Sequence, residues 1–517
     1  MKNLFLSFVT IICTFVTNAQ THVANLVKQI NPSGAANISQ GIIKDNIYYF
    51  SANDGTHGTE LWRSDGTEAG TYMVKDINTS GNSNVVNITE MNAYLYFFAT
   101  DNTGYDLWKT DGTETGTVKV KDLPGNGSLG FLTYFNNKLF FTFDDGIHGS
   151  EPWVSDGTDV GTMLLKDINP DSDSNPECYF IFNNTLYFSA QDTTHGREIW
   201  ISDGTQAGTN LFVDINEGIL NFPIGYVCIA DSIFIFSGYD LQNKRELWKS
   251  NGTSNGTGIL KDINPNGFSD PQFMYSFKNK IYFTADDGIH GNQLWVTDGT
   301  SGGTLLFKQF TNYTYNPSIH DFFTFNNNLL FSVNDSIHGN ELWVSDGTEL
   351  GTSLFLDIYP GSIGSTPGNF LNNTTQFYFS ANDSLHGSEL WVSDGTINGT
   401  FLYCDIDSGS SSSSPSHIFT LNNKLYAVAN EGGLYSFSLI VSEENIPLQN
   451  QALKIAPNPA KNRIQVQGSE NETIRLYNTC GKLLQETKCT SIDVSKYENG
   501  LYILKAGERA EKLIIQK

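Results

Sequence analysis

Six loops of this chain repeat a set of metal-ligating and acid–base residue types. Asp54, His57 and Glu60 recur as Asp145, His148 and Glu151, and again as Asp192, His195 and Glu198. They return as Asp335, His338 and Glu341, and as Asp383, His386 and Glu389, while one copy reads Asp287, His290 and Gln293. Carboxylates suit a hard cation such as Ca2+, and His serves in proton transfer. Asp54, Glu60, Asp76, Asp145, Asp192, Asp335 and Asp383 are therefore the candidate metal ligands, with Ca2+ as the candidate cofactor. A set present in six copies cannot be a single active site. The stronger reading is structural: in a repeat protein His, Asp, Ser and Trp can bond neighbouring strands and loops.

The departures from the repeat are the better candidates for ligand contact. One unit has Tyr105 where others have His. Another replaces its loop by a segment that includes Tyr239, Asp240, Lys244 and Arg245, and a third inserts Tyr313 and Tyr315 where others read Asp-Ile-Asn-Pro. These six residues, Tyr105 aside, are the candidate ligand-binding set. No Ser-His-Asp elbow, Gly-rich phosphate loop or Cys-His zinc spacing stands out. Asp65, Asp111, Asp156, Asp203, Asp298, Asp346 and Asp394 open Asp-Gly-Thr turns, with Asn251 in that place once. Asp and Asn bond their own backbone in such turns, and Gly supplies positive φ.

The elements that must position these residues are set by the tryptophans. Trp62, Trp108, Trp153, Trp200, Trp248, Trp295, Trp343 and Trp391 follow one another at 45 to 48 residues, inside a near-constant Glu-Leu-Trp-x-x-Asp-Gly-Thr text. A fixed period of this length marks a repeat architecture. In the unit around Trp295, four short β-branched and aromatic runs are separated by Asn, Asp and Gly turns, which predicts four antiparallel strands. Four strands every 47 residues predict an all-β fold, a β-propeller over residues 24–441. Asn25–Ile30 reads as a fourth strand, and His417–Leu439 as the first three strands of a unit. Together they would form one composite blade and leave no open sheet edge. The count is then nine blades, or eight if the composite blade does not form.

The chain holds 30 Lys+Arg against 55 Asp+Glu, net −25. The excess lies wholly in residues 20–441, where 18 basic residues meet 46 acidic ones. This argues against nucleic acid as a partner and against docking on an anionic membrane by charge. Residues 1–19 read as a signal peptide: a Lys2 start, an apolar run from Leu4 to Val16, and a cut expected between Ala19 and Gln20. No later stretch is long and apolar enough for a transmembrane helix. After the signal, Cys178, Cys228, Cys404, Cys480 and Cys489 are too scattered for a disulfide framework, although Cys480 and Cys489 lie close enough in sequence to pair.

Residues 442–453 read as a linker, followed by short strands that predict a small β-sandwich over 454–517. Within it stand Ile455-Ala-Pro-Asn-Pro459, Leu476-Tyr-Asn-Thr-Cys-Gly-Lys482 and Asn499-Gly-Leu-Tyr-Ile503. This ordered set, with Pro457, Asn458, Pro459, Gly481, Gly500 and Tyr502 as its marked positions, resembles the type A carboxy-terminal sorting domain of the type IX secretion system. The resemblance implies a Gram-negative cell, the secretion machinery as partner, and release of the cargo or its attachment to surface lipopolysaccharide. The repeats resemble the ELWxxDGT repeat family, which is known by its repeat and not by an activity. The functional expectation is a secreted or surface-attached module binding glycan or protein ligands. The alternative is a secreted propeller enzyme acting on polysaccharide.

Overall fold

The computed structural model describes residues 22–39, 41–102, 104–123, 129–215, 227–230, 232–239, 244–311, 317–439, 453–467, 473–478, 483–506 and 509–517. The chain divides into two compact units at Leu439 and Ile440.

In the first unit nine antiparallel four-stranded sheets follow one another along the chain. Blade 1 consists of Ile42–Lys44, Ile47–Asn53, Thr59–Ser64 and Tyr72–Lys75. Blade 6 consists of Gln272–Phe277, Lys280–Asp286, Asn292–Thr297 and Leu305–Lys308, the strands expected around Trp295. Blade 9 takes Ser416–Leu421, Lys424–Ala429 and Gly433–Leu439 from the far end and His22–Gln29 from the start. His22 pairs with Leu439 and Gln29 with Gly433. The composite blade forms, so the count is nine and the eight-bladed alternative falls.

Each of the nine interfaces between neighbouring blades is filled by apolar side chains, in one cluster each except between blades 3 and 4, where there are two. The ninth closes the ring: Phe419, Leu421 and Tyr426 of blade 9 pack on Tyr48, Phe50 and Trp62 of blade 1. The Tyr48 and Phe419 rings stack at 4.2 Å.

This packing explains the Leu-Trp pair. Adjacent residues of a strand point to opposite faces of the sheet. Trp108 therefore joins the cluster shared with blade 1, whereas Leu107 joins the cluster shared with blade 3. The same division holds for Trp295 towards blade 5 and Leu294 towards blade 7. One dipeptide per unit fills two interfaces.

At seven of the nine interfaces the first strands of neighbouring blades contact one another, which places these strands around the axis of the ring. Seven of them carry a bulge after their first residues, as between Val86 and Thr89 or Gln272 and Tyr275. In six of these the residue entering the bulge has positive φ: Asn87 (56°), Cys178 (56°), Phe273 (49°), Asp321 (56°), Asn369 (55°) and His417 (44°). That conformation costs a residue with a β-carbon about 1–2 kcal/mol, and Asn tolerates it best.

The second unit is a β-sandwich. A three-stranded sheet (Lys454–Ala456, Arg463–Gln467, Ser491–Asp493) faces a four-stranded one (Ile474–Asn478, Leu483–Thr487, Gly500–Ala506, Arg509–Ile515). Ile464, Val466, Leu476, Leu504 and Leu513 form the core between them. Leu453, which composition placed at the end of the linker, is buried in that core.

Candidate functional site

Two kinds of segment share one face of the ring: the loops between second and third strands, and the connections between blades. In blade 1 the loop meets the following connection, where Ser83 N–H donates to Thr59 O at 2.9 Å and Thr59 N–H to Asn82 Oδ1 at 2.8 Å. The Asp-Gly-Thr turns lie at the opposite end of the strands.

The Asp of each loop is a brace. Asp54 Oδ1 accepts from the N–H groups of Thr56 and His57, and its Oδ2 meets His57 Nδ1 at 2.7 Å. The Asp–His contact recurs at 2.6–2.8 Å for Asp145–His148, Asp192–His195, Asp287–His290, Asp335–His338 and Asp383–His386. The Glu of each loop does different work. Glu60 is fully buried and accepts from the N–H groups of Ile77 and Ser83, pinning the connection to blade 2. Glu151 holds Ile168 and Ser174, Glu198 holds Ile215, Glu246 holds Ile263 and Ser269, Glu341 holds Ile358 and Ser365, and Glu389 holds Ile406 and Ser413. Gln293 does the same in blade 6, accepting from Phe310 N–H at 2.9 Å. Where blade 2 has Asp106, it accepts from Leu123 N–H and pairs with Lys119 at 2.6 Å.

The candidate metal ligands are thus distributed one loop at a time. Asp54, Asp145, Asp192, Asp335 and Asp383 brace separate loops, Glu60 pins backbone, and Asp76 lies near His57 at the end of a fourth strand. Among the described residues no three His, Cys, Asp or Glu side chains converge as a metal site. The opposite turns are braced as expected: Asp65 accepts from Thr67, and Ser64 Oγ bonds Thr71 Oγ1 at 2.7 Å. Among the described residues the indole N–H groups of Trp62, Trp108, Trp153, Trp200, Trp295, Trp343 and Trp391 find no protein acceptor, so these Trp side chains serve packing. Trp248 alone donates, to Gly238 O at 3.1 Å.

Of the candidate ligand contacts, Tyr239, Lys244 and Arg245 are described, while Asp240, Tyr313 and Tyr315 lie outside the described residues. Arg245 lies over the Tyr239 ring at 4.9 Å and pairs with Asp270 at 3.6 Å. Lys244 Nζ donates to Pro265 O. The group is held within blade 5 and its following connection. Residues that the motif did not mark complete the scaffold. Asn31, Asn78, Asn169 and Asn264 each open a connection and donate from Nδ2 to the carbonyl four residues on. Lys75, Lys166 and Lys261 donate to the carbonyls of Thr117, Thr209 and Thr304 in the next blade.

The charges give the ring a pH profile. Burial raises the Glu151 and Glu246 carboxyls to about 7, against the hydrogen bonds they accept. Burial also moves Glu60, Glu341 and Glu389 upward. The bonds to Asp54 and Asp145 raise His57 and His148. Burial pulls Asp54 and Asp145 up, yet the backbone N–H groups and His rings bonded to them outweigh it and leave both below the ordinary value. A group raised in the fold contributes stability at low pH that is lost as pH rises through its folded pKa, and a lowered Asp contributes stability lost only as pH falls below it. We expect the melting temperature to be higher at about pH 5.5 than at about pH 8. The double variant Glu151→Gln and Glu246→Gln, following the Gln293 precedent, should flatten this slope. A melting temperature rising from the acidic to the alkaline buffer would contradict the assignment.

The sorting motif folds the second unit's edges together. Asn458 Nδ2 donates to Lys512 O at 2.6 Å, and its Oδ1 accepts from Ile514 N–H at 2.8 Å. That clamps the Pro457–Pro459 turn to the last strand. Gly500 starts the strand paired to Ile515, and Tyr502 donates to Glu498 O at 3.0 Å while packing on the core. Gly481 and Cys480 lie outside the described residues, and Cys489 is exposed.

No curated protein matches the chain. Among solved structures, one is a crystal structure of puromycin hydrolase, at 11% identity and a TM-score of 0.34, covering 69% of this chain and 61% of that one. Another comes from an analysis of two prolyl endopeptidases, at 9% identity and a TM-score of 0.38, covering 82% and 54%. The chain spans between 54% and 61% of the length of these structures. Residues 454–517 match the family model described as the secretion system C-terminal sorting domain. No helix among the described residues is long and apolar enough to cross a membrane. Residues 454–517 are therefore a type IX sorting domain, and the protein that carries it is exported, to be secreted or held at the outer surface of a Gram-negative cell.

Proposed function

We propose that the exported ring is a binding module for glycan or protein ligands, working through the face that carries the loops between second and third strands. The supporting observation is an exposed aliphatic residue at the tip of four of these loops. Ile147, Ile289, Ile337 and Leu385 are 69–81% exposed. Each tip's N–H is held by its loop's Asp: Ile147 by Asp145 at 2.9 Å, Ile337 by Asp335 at 3.0 Å. Large exposed aliphatic side chains on loops whose backbone is braced, repeated on one face, favour an interaction surface. Preorganisation lowers the ordering cost of binding.

The test is a glycan array together with adhesion to whole-cell and extracellular-matrix proteins, using the mature chain. Changing Ile147, Ile289, Ile337 and Leu385 together to Ser should lower retention at least ~tenfold with little change in melting temperature, because these side chains are largely exposed. Undiminished retention by the fourfold variant would overturn the reading. Cleavage of an arrayed polysaccharide would replace binding by catalysis.

A further inference from the structure

The nine repeats are alike in their second and third strands and differ in their first. The first strands surround the axis, so the differences collect where the chain's pseudosymmetry would otherwise make a uniform pore. Each connection leads from the loop face into a first strand. The bulge residues therefore stand at the mouth of the channel on that face, and the later residues of the strand stand deeper.

The deeper positions, beside the hairpin turn at the far end of each first strand, also vary: Ile43 in blade 1 is exposed, and Glu90 and Ser276 hold the place in blades 2 and 6. Tyr134, Ile181 and Ile229, in blades 3 to 5, are large apolar groups left exposed on first strands. The residues in the same place in blades 7 to 9 are Thr324, Asn372 and Thr420. At the mouth the residue type changes from one blade to the next. Phe273 is 39% exposed, while Asp321, Asn369 and His417 follow it in blades 7, 8 and 9.

The backbone at the mouth sharpens the point. All four of these residues have the positive φ that geometry would fill with Gly or Asn. Asn369 obeys that preference, but Phe273, Asp321 and His417 do not. Bulges re-aim side chains, and a residue kept in an unfavourable conformation points to a use for its side chain. Asp321 Oδ2 is bonded to His320 Nδ1 at 2.7 Å, which pairs an acceptor with a ring donor at the rim. Its carboxylate would stand 4.0 Å from a β-carbon placed on Gly368, so the absence of a side chain in blade 8 leaves room beside it.

We propose that the channel mouth binds an uncharged saccharide. A sugar ring has an apolar C–H face and a rim of hydroxyls that both donate and accept. Phe273 matches the first, and Asp321, Asn369 and His417 offer polar atoms for the second. The carboxylate at the rim, on a ring with 46 acidic and 18 basic residues, disfavours polyuronates and sulfated chains. This proposal rests on the binding reading given above and locates its glycan site.

The test is isothermal titration of the mature chain with neutral hexasaccharides (β-1,3-glucan, β-1,4-xylan, α-1,4-glucan and mannan) and with a hexagalacturonate control. At least one neutral hexamer should bind, and the galacturonate should not. Phe273→Asn and Asp321→Asn should each weaken binding at least ~tenfold, by loss of the stacking face and of the charged acceptor. Asn occupies the same backbone position at Asn87 and Asn369, so both variants should fold, with a cooperative melting transition as the control. Binding that both variants leave intact would overturn the channel site, as would tighter binding of the galacturonate. If only the fourfold loop-tip variant loses binding, the loop-face reading survives and the channel site does not. If no neutral hexamer binds, the saccharide site falls, and retention on protein surfaces alone then carries the binding reading.

Discussion

Deleting residues 20–30 should open the ring and lower its melting temperature by roughly 5–10 °C, with aggregation on heating. The strand His22–Gln29 supplies the fourth strand of blade 9 and joins residues more than 400 positions apart. Its removal strips the ladder from Gly433–Leu439, the stack of His22 on Tyr403 at 3.9 Å, and Ile30 from the cluster that seals blade 9 to blade 1. A buried Ile contributes about 1.5–3 kcal/mol and each lost backbone bond about 1 kcal/mol, so the total is at least about 5 kcal/mol. For a ring of this size, about 1–2 °C follows each kcal/mol, because the unfolding entropy grows with chain length. Scanning calorimetry with light scattering reads both effects. A deletion variant that melts like the full ring and stays monomeric would mean that the strand is not needed for closure.

Removing residues 454–517 should leave the protein inside the cell envelope, with extracellular and surface levels in the native host reduced at least ~tenfold. The reason is that the truncated chain keeps its apolar start but loses the domain matched to the sorting family. The two units are separate compact bodies, so the propeller should still fold, and its melting transition in the retained fraction is the control. A finer variant, Asn458→Ala, removes both bonds to the last strand and should lower export without touching the propeller. Surface or medium levels equal to wild type in the truncated strain would remove the sorting role.

Much of this protein is legible in its text because the fold is built from local antiparallel pairs. Strand 2 and strand 3 of each blade are joined by a short loop, so the alternation around Trp295 gives their register directly. The period gives the number of units, and the split fourth strand gives their closure, since a sheet edge left open is costly. The sorting domain is legible for a different reason: Asn458 and Tyr502 make bonds that few other residues could make at those places. The Asp and Glu of the repeated loops were visible as residue types, but not their separate tasks. Asp54 bonds residues two and three positions away, whereas Glu60 bonds residues 17 and 23 positions away.

What the tertiary structure alone decided is the inner surface. Phe273, Asp321 and His417 share no residue type, so no motif marks them, and the positive φ that unites them arises only when each first strand bulges against its second. The same holds for Lys75 and Lys261, whose acceptors belong to the neighbouring blade. Sequence period fixes what every blade has in common, because each blade must bury the same two faces. The ring brings together the positions at which the blades differ, because only closure puts nine first strands around one axis.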